Sequence, residues 1–162
     1  MTINQFEAAR GGADTIRVFA AAGGNFTDEQ NEYGMTAAMY AAKLGADAIR
    51  AFAQAGGRFT DERSYDRYAE GYTAAMFAAR NGPHAIKAFA DAGGKVTDQK
   101  NKYGHTARYY AAAYDADYNA GALKALETAV ATQKKAGAPQ QESGVAIRPA
   151  PKTSAPPPPS PT

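Results

Sequence analysis

The sequence predicts an all-α repeat solenoid of about four helix-turn-helix repeats, and two observations carry this prediction. Short motifs recur in a fixed order along the chain, at an almost constant spacing. Alanine-rich segments between these motifs place larger apolar residues three positions apart, which puts both side chains on one face of a helix. Two short helices cannot bury such faces alone, so each pair must stack on its neighbours, and roughly three or more repeats are needed.

The recurring motifs define the length of the repeat. Ala-Gly-Gly occurs at residues 22–24, 55–57 and 92–94, and Gly-x-Thr-Ala occurs at residues 34–37, 71–74 and 104–107. The spacing is 33 residues, except that four extra residues lie between Asp61 and Gly71. One repeat domain is therefore predicted, with repeats at about 1–28, 29–61, 62–98 and 99–137.

The first helix of each repeat is predicted to begin after a threonine. The hydroxyls of Thr36, Thr73 and Thr106 can accept hydrogen bonds from the first turn of the helix that follows. Glycine then ends the helix, as at Gly45 and Gly82. One aromatic residue on each of these helices is predicted to pack between neighbouring first helices: Tyr40, Phe77 and Tyr109.

The second helix of each repeat carries a pair of apolar residues at a three-residue step. These pairs are Ile16 with Phe19, Ile49 with Phe52, Ile86 with Phe89, and Leu123 with Leu126. They are predicted to form the core, because both members of a pair lie on one helical face.

The segment 34–57 reads Gly-x-Thr-Ala-x-x-x-Ala-Ala-x-x-Gly, followed by Ile49, Phe52 and Ala-Gly-Gly, and it resembles the ankyrin repeat. The resemblance extends over residues 1–137. It implies helix, turn, helix and a projecting β-hairpin finger in each repeat. The family's Thr-Pro-Leu-His is replaced here by Thr-Ala-Ala-Met at residues 36–39. The resemblance also implies a non-catalytic adaptor or scaffold that binds another protein through its finger tips and the exposed face of its first helices.

Carried over by position, the predicted partner-binding surface comprises Tyr33, Met35, Lys43, Arg63, Tyr65, Arg67, Tyr68, Tyr72, Arg80, Lys102, Tyr103 and His105. The four extra residues enlarge the middle finger, which is rich in tyrosine and arginine. These two residue types often contribute most to binding energy. The alternative is a solvated loop whose tyrosines pack on their own repeat.

No arrangement of residues typical of catalysis is present, so we expect no enzyme, cofactor or metal. The chain has no cysteine, and His84 and His105 lack partners at metal-ligand spacing. Ser64 is the only serine within the repeats. The Gly-Gly pairs follow helices instead of preceding them, which disfavours a phosphate-binding loop.

The charge balance disfavours a nucleic-acid partner. Eighteen basic and sixteen acidic residues give a net charge of +2, and acidic residues are interleaved with the basic ones near the fingers. Weak binding of nucleic acid or another polyanion remains the alternative from a different functional class.

Location and the C-terminal segment complete the prediction. There is no secretory signal and no apolar run near the roughly 20 residues that span a bilayer, so we expect a monomeric cytoplasmic protein. An exported bacterial effector that uses the same surface on host proteins stays an open alternative.

Residues 138–162 hold eight of the nine prolines and are predicted to be a disordered tail.

Overall fold

The computed structural model of the chain describes residues 3–115 and 121–142. The predicted all-α class is confirmed, since helices account for the regular structure of these residues and they contain no β-strand. In chain order the helices are α1 (Gln5–Arg10), α2 (Ala13–Ala21), α3 (Ala37–Leu44), α4 (Ala46–Gln54), α5 (Asp66–Ala69), α6 (Ala74–Arg80), α7 (Pro83–Asp91), α8 (Ala107–Asp115) and α9 (Ala122–Glu142).

The helices of the first compact part of the chain, Met1–Ala129, pack in two rows. In one row α1 packs on α3, α3 on α6, and α6 on α8. In the other row α2 packs on α4, and α4 on α7. Within each sequence repeat the two helices also contact each other, as α3 contacts α4 and α6 contacts α7. Successive repeats therefore bury one another's helical faces.

The predicted threonine caps are confirmed. The hydroxyl of Thr36 accepts from the Met39 amide at 3.1 Å, and those of Thr73 and Thr106 make the equivalent bonds at 3.3 Å and 3.1 Å. Gly45 alone joins α3 to α4, with φ +111°, a backbone angle that favours glycine. This one-residue connection lets α4 fold back directly onto α3.

The predicted apolar pairs lie in the core, except that Phe19 is only half-buried. Ile16, Ile49, Ile86, Phe52, Phe89 and Leu126 are buried, and Leu123 packs against them. A phenylalanine row also crosses the repeats: ring centroids are 4.9 Å apart for Phe19–Phe26, 4.8 Å for Phe26–Phe52, 5.1 Å for Phe52–Phe59 and 5.2 Å for Phe59–Phe89. The row links each second helix to the next through a residue that follows the paired glycines.

One aromatic position was predicted wrongly. Tyr109 is 47% exposed, whereas its neighbour Tyr110 is buried in the core cluster. The threonine cap sets the register, and the inward position is the fourth residue after it. That position holds Tyr40, Phe77 and Tyr110 in the three repeats.

The predicted β-hairpin fingers are turns in the part of the chain that the structure describes. We call residues 31–35, 64–72 and 101–105 the finger turns. Each is closed by a backbone hydrogen bond from its first amide to its last carbonyl, at 2.9, 2.8 and 3.0 Å respectively. The middle finger turn carries the four extra residues, and α5 forms within it. No helix among the described residues is long and apolar enough to cross a membrane.

The second compact part, Val130–Thr162, is described as far as residue 142. Helix α9 ends at Glu142, so it extends beyond the predicted domain end at residue 137 into the first residues of the predicted tail. The remainder of the predicted tail, residues 143–162, lies outside the described residues.

Candidate binding groove

The extra residues of the middle finger turn form a braced segment, which we call the insertion (residues 65–70). The Tyr65 amide donates to the Tyr33 carbonyl at 3.0 Å, and the Lys102 amide donates to the Glu70 carbonyl at 3.0 Å. The buried hydroxyl of Ser64 donates to the Ala69 carbonyl at 2.8 Å. The insertion is therefore bonded to the finger turns before and after it.

Close packing also fixes the insertion. A Cβ at Gly34 would lie 2.5 Å from the Tyr65 backbone nitrogen, and Gly34 has a φ of +77°. Only glycine fits both the space and the backbone angle at this contact. Arg63 donates to the Asp66 carboxylate at 2.6 Å and to the Gly71 carbonyl at 3.3 Å, which closes the base of the insertion.

The insertion stands over a cavity between α3 and α6. The cavity has a volume of about 350 Å³ and is lined by Tyr33, Met35, Tyr40, Lys43, Tyr68, Ala69, Glu70, Tyr72, Phe77 and Arg80. A second cavity of about 440 Å³ shares Tyr33, Tyr40 and Lys43 with the first and extends to Arg10 and Leu44. We call these two adjoining cavities the groove. It follows the row of first helices.

Two exposed tyrosines form the rim of the groove. Tyr33 is 44% exposed and Tyr68 is 56% exposed. Their rings meet edge to face, with centroids 6.0 Å apart. The guanidinium of Arg67 lies 5.5 Å from the centre of the Tyr68 ring. Tyr33 is held by the first finger turn and Tyr68 by the insertion, so the rim joins two repeats.

Three cations lie along the row of first helices, each above an aromatic ring of the next helix. Arg10 lies 5.7 Å from the centre of the Tyr40 ring, and Lys43 lies 6.0 Å from that of Phe77. Arg80 lies 5.6 Å from the centre of the Tyr110 ring. We call Arg10, Lys43 and Arg80 the cation row. Cation–π attraction holds these charges at fixed positions on the groove.

Tyr72 and the aromatic residues around it form a rigid floor. The Tyr72 ring stacks on Phe77 at 4.9 Å and on Tyr110 at 5.6 Å, and the hydroxyl oxygens of Tyr72 and Tyr110 lie 2.8 Å apart. The Asn101 side-chain amide donates to the Tyr110 hydroxyl at 2.7 Å. Burial, and next the hydrogen bond to Tyr110, raise the pKa of Tyr72 above its usual value. The Tyr72 hydroxyl therefore keeps its proton to a higher pH than an ordinary tyrosine does.

Six of the predicted binding residues line the groove, but two of them do not project from the surface. Tyr33, Lys43, Tyr68 and Arg80 are exposed around it. Met35 and Tyr72 are only 4% and 8% exposed, which corrects their expected place on an open surface. Met35 follows the glycine of its finger turn, and its amide donates to the Asn31 side chain at 3.0 Å.

The other predicted binding residues lie outside the groove lining. Arg63 is half-buried beneath the insertion, and Tyr65 packs against Gly34. Arg67 is exposed next to Tyr68. Lys102 and Tyr103 surround the Glu70 carboxylate, and His105 lies next to Tyr109.

These last three residues form a neighbouring polar and aromatic cluster. Lys102 Nζ lies 3.7 Å from a Glu70 carboxylate oxygen, and the Tyr103 hydroxyl donates to the same carboxylate. That hydrogen bond raises the pKa of Tyr103 above its usual value. The His105 ring stacks on Tyr109, with centroids 3.7 Å apart. The cluster is continuous with the groove through Glu70.

Sequence reasoning missed Arg10 and treated Tyr40 and Phe77 only as packing residues. A signal for Arg10 was available, because residues 6–12 align with residues 39–45 and this places Arg10 at the position of Lys43. Tyr40 and Phe77 pack against the core and also line the groove, and sequence periodicity alone does not distinguish these two roles.

The described residues contain no group of three or more histidines and acidic residues placed to hold a metal ion. No model of a known protein family matches the sequence, and no curated protein matches it.

Proposed function

We propose that this chain is an ankyrin-like repeat solenoid that binds another protein and catalyses no reaction. The support for the solenoid is that equivalent residues recur in equivalent roles. The threonine caps bond in the same way in three repeats, and each first helix packs on the next. Such stacking is the way in which short helical repeats bury a continuous core.

The observation that carries the binding function is the groove with its tyrosine rim. Tyr33 and Tyr68 are exposed, but both backbones are braced: the Tyr33 carbonyl accepts from the Tyr65 amide of the next finger turn, and the Tyr68 amide donates to the Tyr65 carbonyl within the insertion. Rigid, exposed tyrosines offer a large contact area at a low entropic cost, which is typical of binding surfaces. The cavity beneath them, of about 350 Å³, can accept side chains of a partner.

The same lining favours a non-catalytic role that needs no cofactor or metal. Its ionisable groups are tyrosines, Lys43, Arg80 and Glu70 in the first cavity, and Arg10 is added in the second. Glu70 is already engaged by Lys102 and the Tyr103 hydroxyl. Burial raises the pKa of Tyr72, which makes its hydroxyl harder to ionise than that of an ordinary tyrosine. None of these groups forms the pair of nucleophile and base that acyl transfer needs.

We place this function in a cytoplasmic monomer. An effector exported by a specialised bacterial secretion system would use the same groove on host proteins. Detecting the chain in culture medium of an intact source cell would favour the effector, and detecting it only in the cell pellet would favour the cytoplasmic adaptor.

The function can be tested by selecting displayed random peptides on three baits. The baits are the intact chain, the groove variant Tyr33→Ala/Tyr68→Ala, and the control variant Val18→Ala/Tyr109→Ala, which removes two exposed hydrophobic side chains outside the groove lining. We expect peptides that bind the intact chain and the control but not the groove variant. Binding that survives in the groove variant, or a selection without binders, would contradict the proposed function.

A further inference from the structure

We infer that the groove takes an extended, acidic peptide segment of the partner, with carboxylate side chains at every third residue. This inference rests on the proposed function and names the chemistry of the partner. The property that points to it is the cation row, which repeats along the groove with the period of the helices.

Two charges of the cation row, those of Arg10 and Lys43, are available and pre-positioned. Arg10 and Lys43 are exposed, and neither forms an ion pair within residues 3–115 and 121–142. Each is steered by an aromatic ring, at 5.7 Å for Arg10 and 6.0 Å for Lys43. A partner carboxylate therefore meets cations whose positions are already restricted, which lowers the entropic cost of binding.

The spacing of the cation row matches an extended peptide. Helices α1, α3 and α6 pack successively, and packed helices lie about 8–10 Å apart. In a polyproline II segment, which rises ~3.1 Å per residue, side chains three positions apart are about 9 Å apart. Acidic residues at every third position can therefore face successive members of the cation row.

The groove keeps a net positive charge after its acidic neighbours are considered. Glu70 borders the cavity but lies 3.7 Å from Lys102, which balances it. In α1, Glu7 lies one turn before Arg10. The equivalent position of α3 holds Tyr40, so Lys43 has no acidic residue at that place. An acidic segment is thus the complementary partner.

A nucleic-acid strand fits the groove less well. Binding of single strands relies on aromatic faces that are open for base stacking. Here the rings of Tyr40 and Phe77 lie beneath Arg10 and Lys43, and the Tyr72 ring is stacked between Phe77 and Tyr110. A peptide carboxylate needs only the cations and not the ring faces.

The test uses three labelled peptides and fluorescence anisotropy with the full chain. The first consists of consecutive Glu-Ala-Pro triplets, the second has the same composition with its glutamates in one block, and the third has Lys-Ala-Pro triplets. We expect the first to bind best and to weaken as salt increases. The variant Arg10→Gln/Lys43→Gln should bind it about tenfold more weakly, the sum of two exposed ion pairs.

A matched variant separates the groove from overall charge. Lys95→Gln/Lys100→Gln removes the same charge from two exposed lysines outside the groove lining and should leave the affinity unchanged. Equal binding of the block or lysine peptide, no binding of the triplet peptide, or an equal loss in the matched variant would overturn the inference. So would tighter binding of a single-stranded oligonucleotide through Arg10 and Lys43. If the selected peptides depend on Tyr33 and Tyr68 but lack acidic residues, the proposed function stands and this inference falls.

Discussion

Two aromatic rows run through the repeats, one in the core and one beneath the groove. The phenylalanine row, Phe19 to Phe89, packs with tilted or edge-on rings about 5 Å apart and contains only apolar side chains. The row beneath the groove holds Tyr40, Phe77 and Tyr110, each under a cation of the preceding first helix. The same repeat spacing thus produces one row that stabilises the fold and one that shapes a surface.

The polar atoms of the second row explain the difference. The side-chain amide of Asn31 donates to the Tyr40 hydroxyl at 3.0 Å, and that of Asn101 donates to the Tyr110 hydroxyl at 2.7 Å. The Asn31 bond ties α3 to the finger turn that carries Tyr33, and the Asn101 bond ties α8 to the last finger turn. The phenylalanine row has no such bonds, so its contribution is burial and packing alone.

The largest effect is expected in the phenylalanine row. Phe52→Ala should lower the free energy of unfolding by about 3–5 kcal/mol, because it empties a fully buried site between Phe26 and Phe59. Urea unfolding of the variant and the parent chain measures this. A loss below about 1 kcal/mol would mean that the core relaxes into the space and that this row does not dominate stability.

A smaller effect is expected where the second row meets a finger turn. Asn101→Ala should cost about 1–3 kcal/mol, because the Tyr110 hydroxyl and the amides of Tyr103 and His105 lose a buried partner. Asn31→Ala is the matched control, and its cost should be lower because Asn31 is only half-buried. Equal losses of unfolding free energy in the two variants, measured in the same unfolding assay, would show that burial of the asparagine does not determine how much its hydrogen bonds contribute to stability.

Removal of the Tyr110 hydroxyl should lower the stability by less than Asn101→Ala does. Tyr110→Phe should cost about 1 kcal/mol, and it should lower the pKa of Tyr72 because their hydrogen bond helps to raise that pKa. The ¹³C chemical shift of the Tyr72 ring during an alkaline titration reports the pKa change of this one residue. An unchanged Tyr72 titration in the variant would contradict the coupling of the two hydroxyls.

The raised pKa of Tyr72 also gives the direction of a pH effect. In the unfolded chain Tyr72 loses its proton near its ordinary pKa of 10.0, whereas in the folded chain it keeps the proton to higher pH. Its contribution to stability is therefore complete below pH 10.0 and is lost as the pH rises above that value. In the Tyr110→Phe variant this loss of stability should be smaller, because the pKa of Tyr72 in the folded chain lies closer to its pKa in the unfolded chain.

The smallest effect on stability is expected at the groove rim. Tyr68→Ala should change the free energy of unfolding by less than about 0.5 kcal/mol, because the side chain is 56% exposed. The same variant should lose affinity for peptides selected on the intact chain. A large stability loss together with lost binding would mean that Tyr68 supports the insertion and does not form a contact surface.

Most of the helical framework could be predicted from the sequence because it is periodic. The caps at Thr36, Thr73 and Thr106 and the pairs such as Ile49 with Phe52 recur at one spacing. The contributions of Phe26 and Phe59 to the core were missed. These two residues follow the paired glycines, in segments without helical periodicity, so no amphipathic pattern marks them as buried.

The groove could be predicted only in part, because side-chain direction in the finger turns depends on local hydrogen bonds. Asn31 turns the backbone so that Met35 points inward, and the middle finger turn has Ser64 in place of that asparagine. The insertion hides this equivalence in the sequence. A one-residue error in register likewise exchanged Tyr109 for the buried Tyr110.

The central claim is that the surface beside the second aromatic row binds, while the phenylalanine row only supports the fold. Amide chemical shifts of the full chain, recorded while a selected peptide is added, test it most directly. The account predicts changes concentrated at Tyr33, Lys43 and Tyr68, with none at the exposed Val18 and Arg50 of the second helices. Changes clustered on α2 and α4, with the groove residues unmoved, would contradict it.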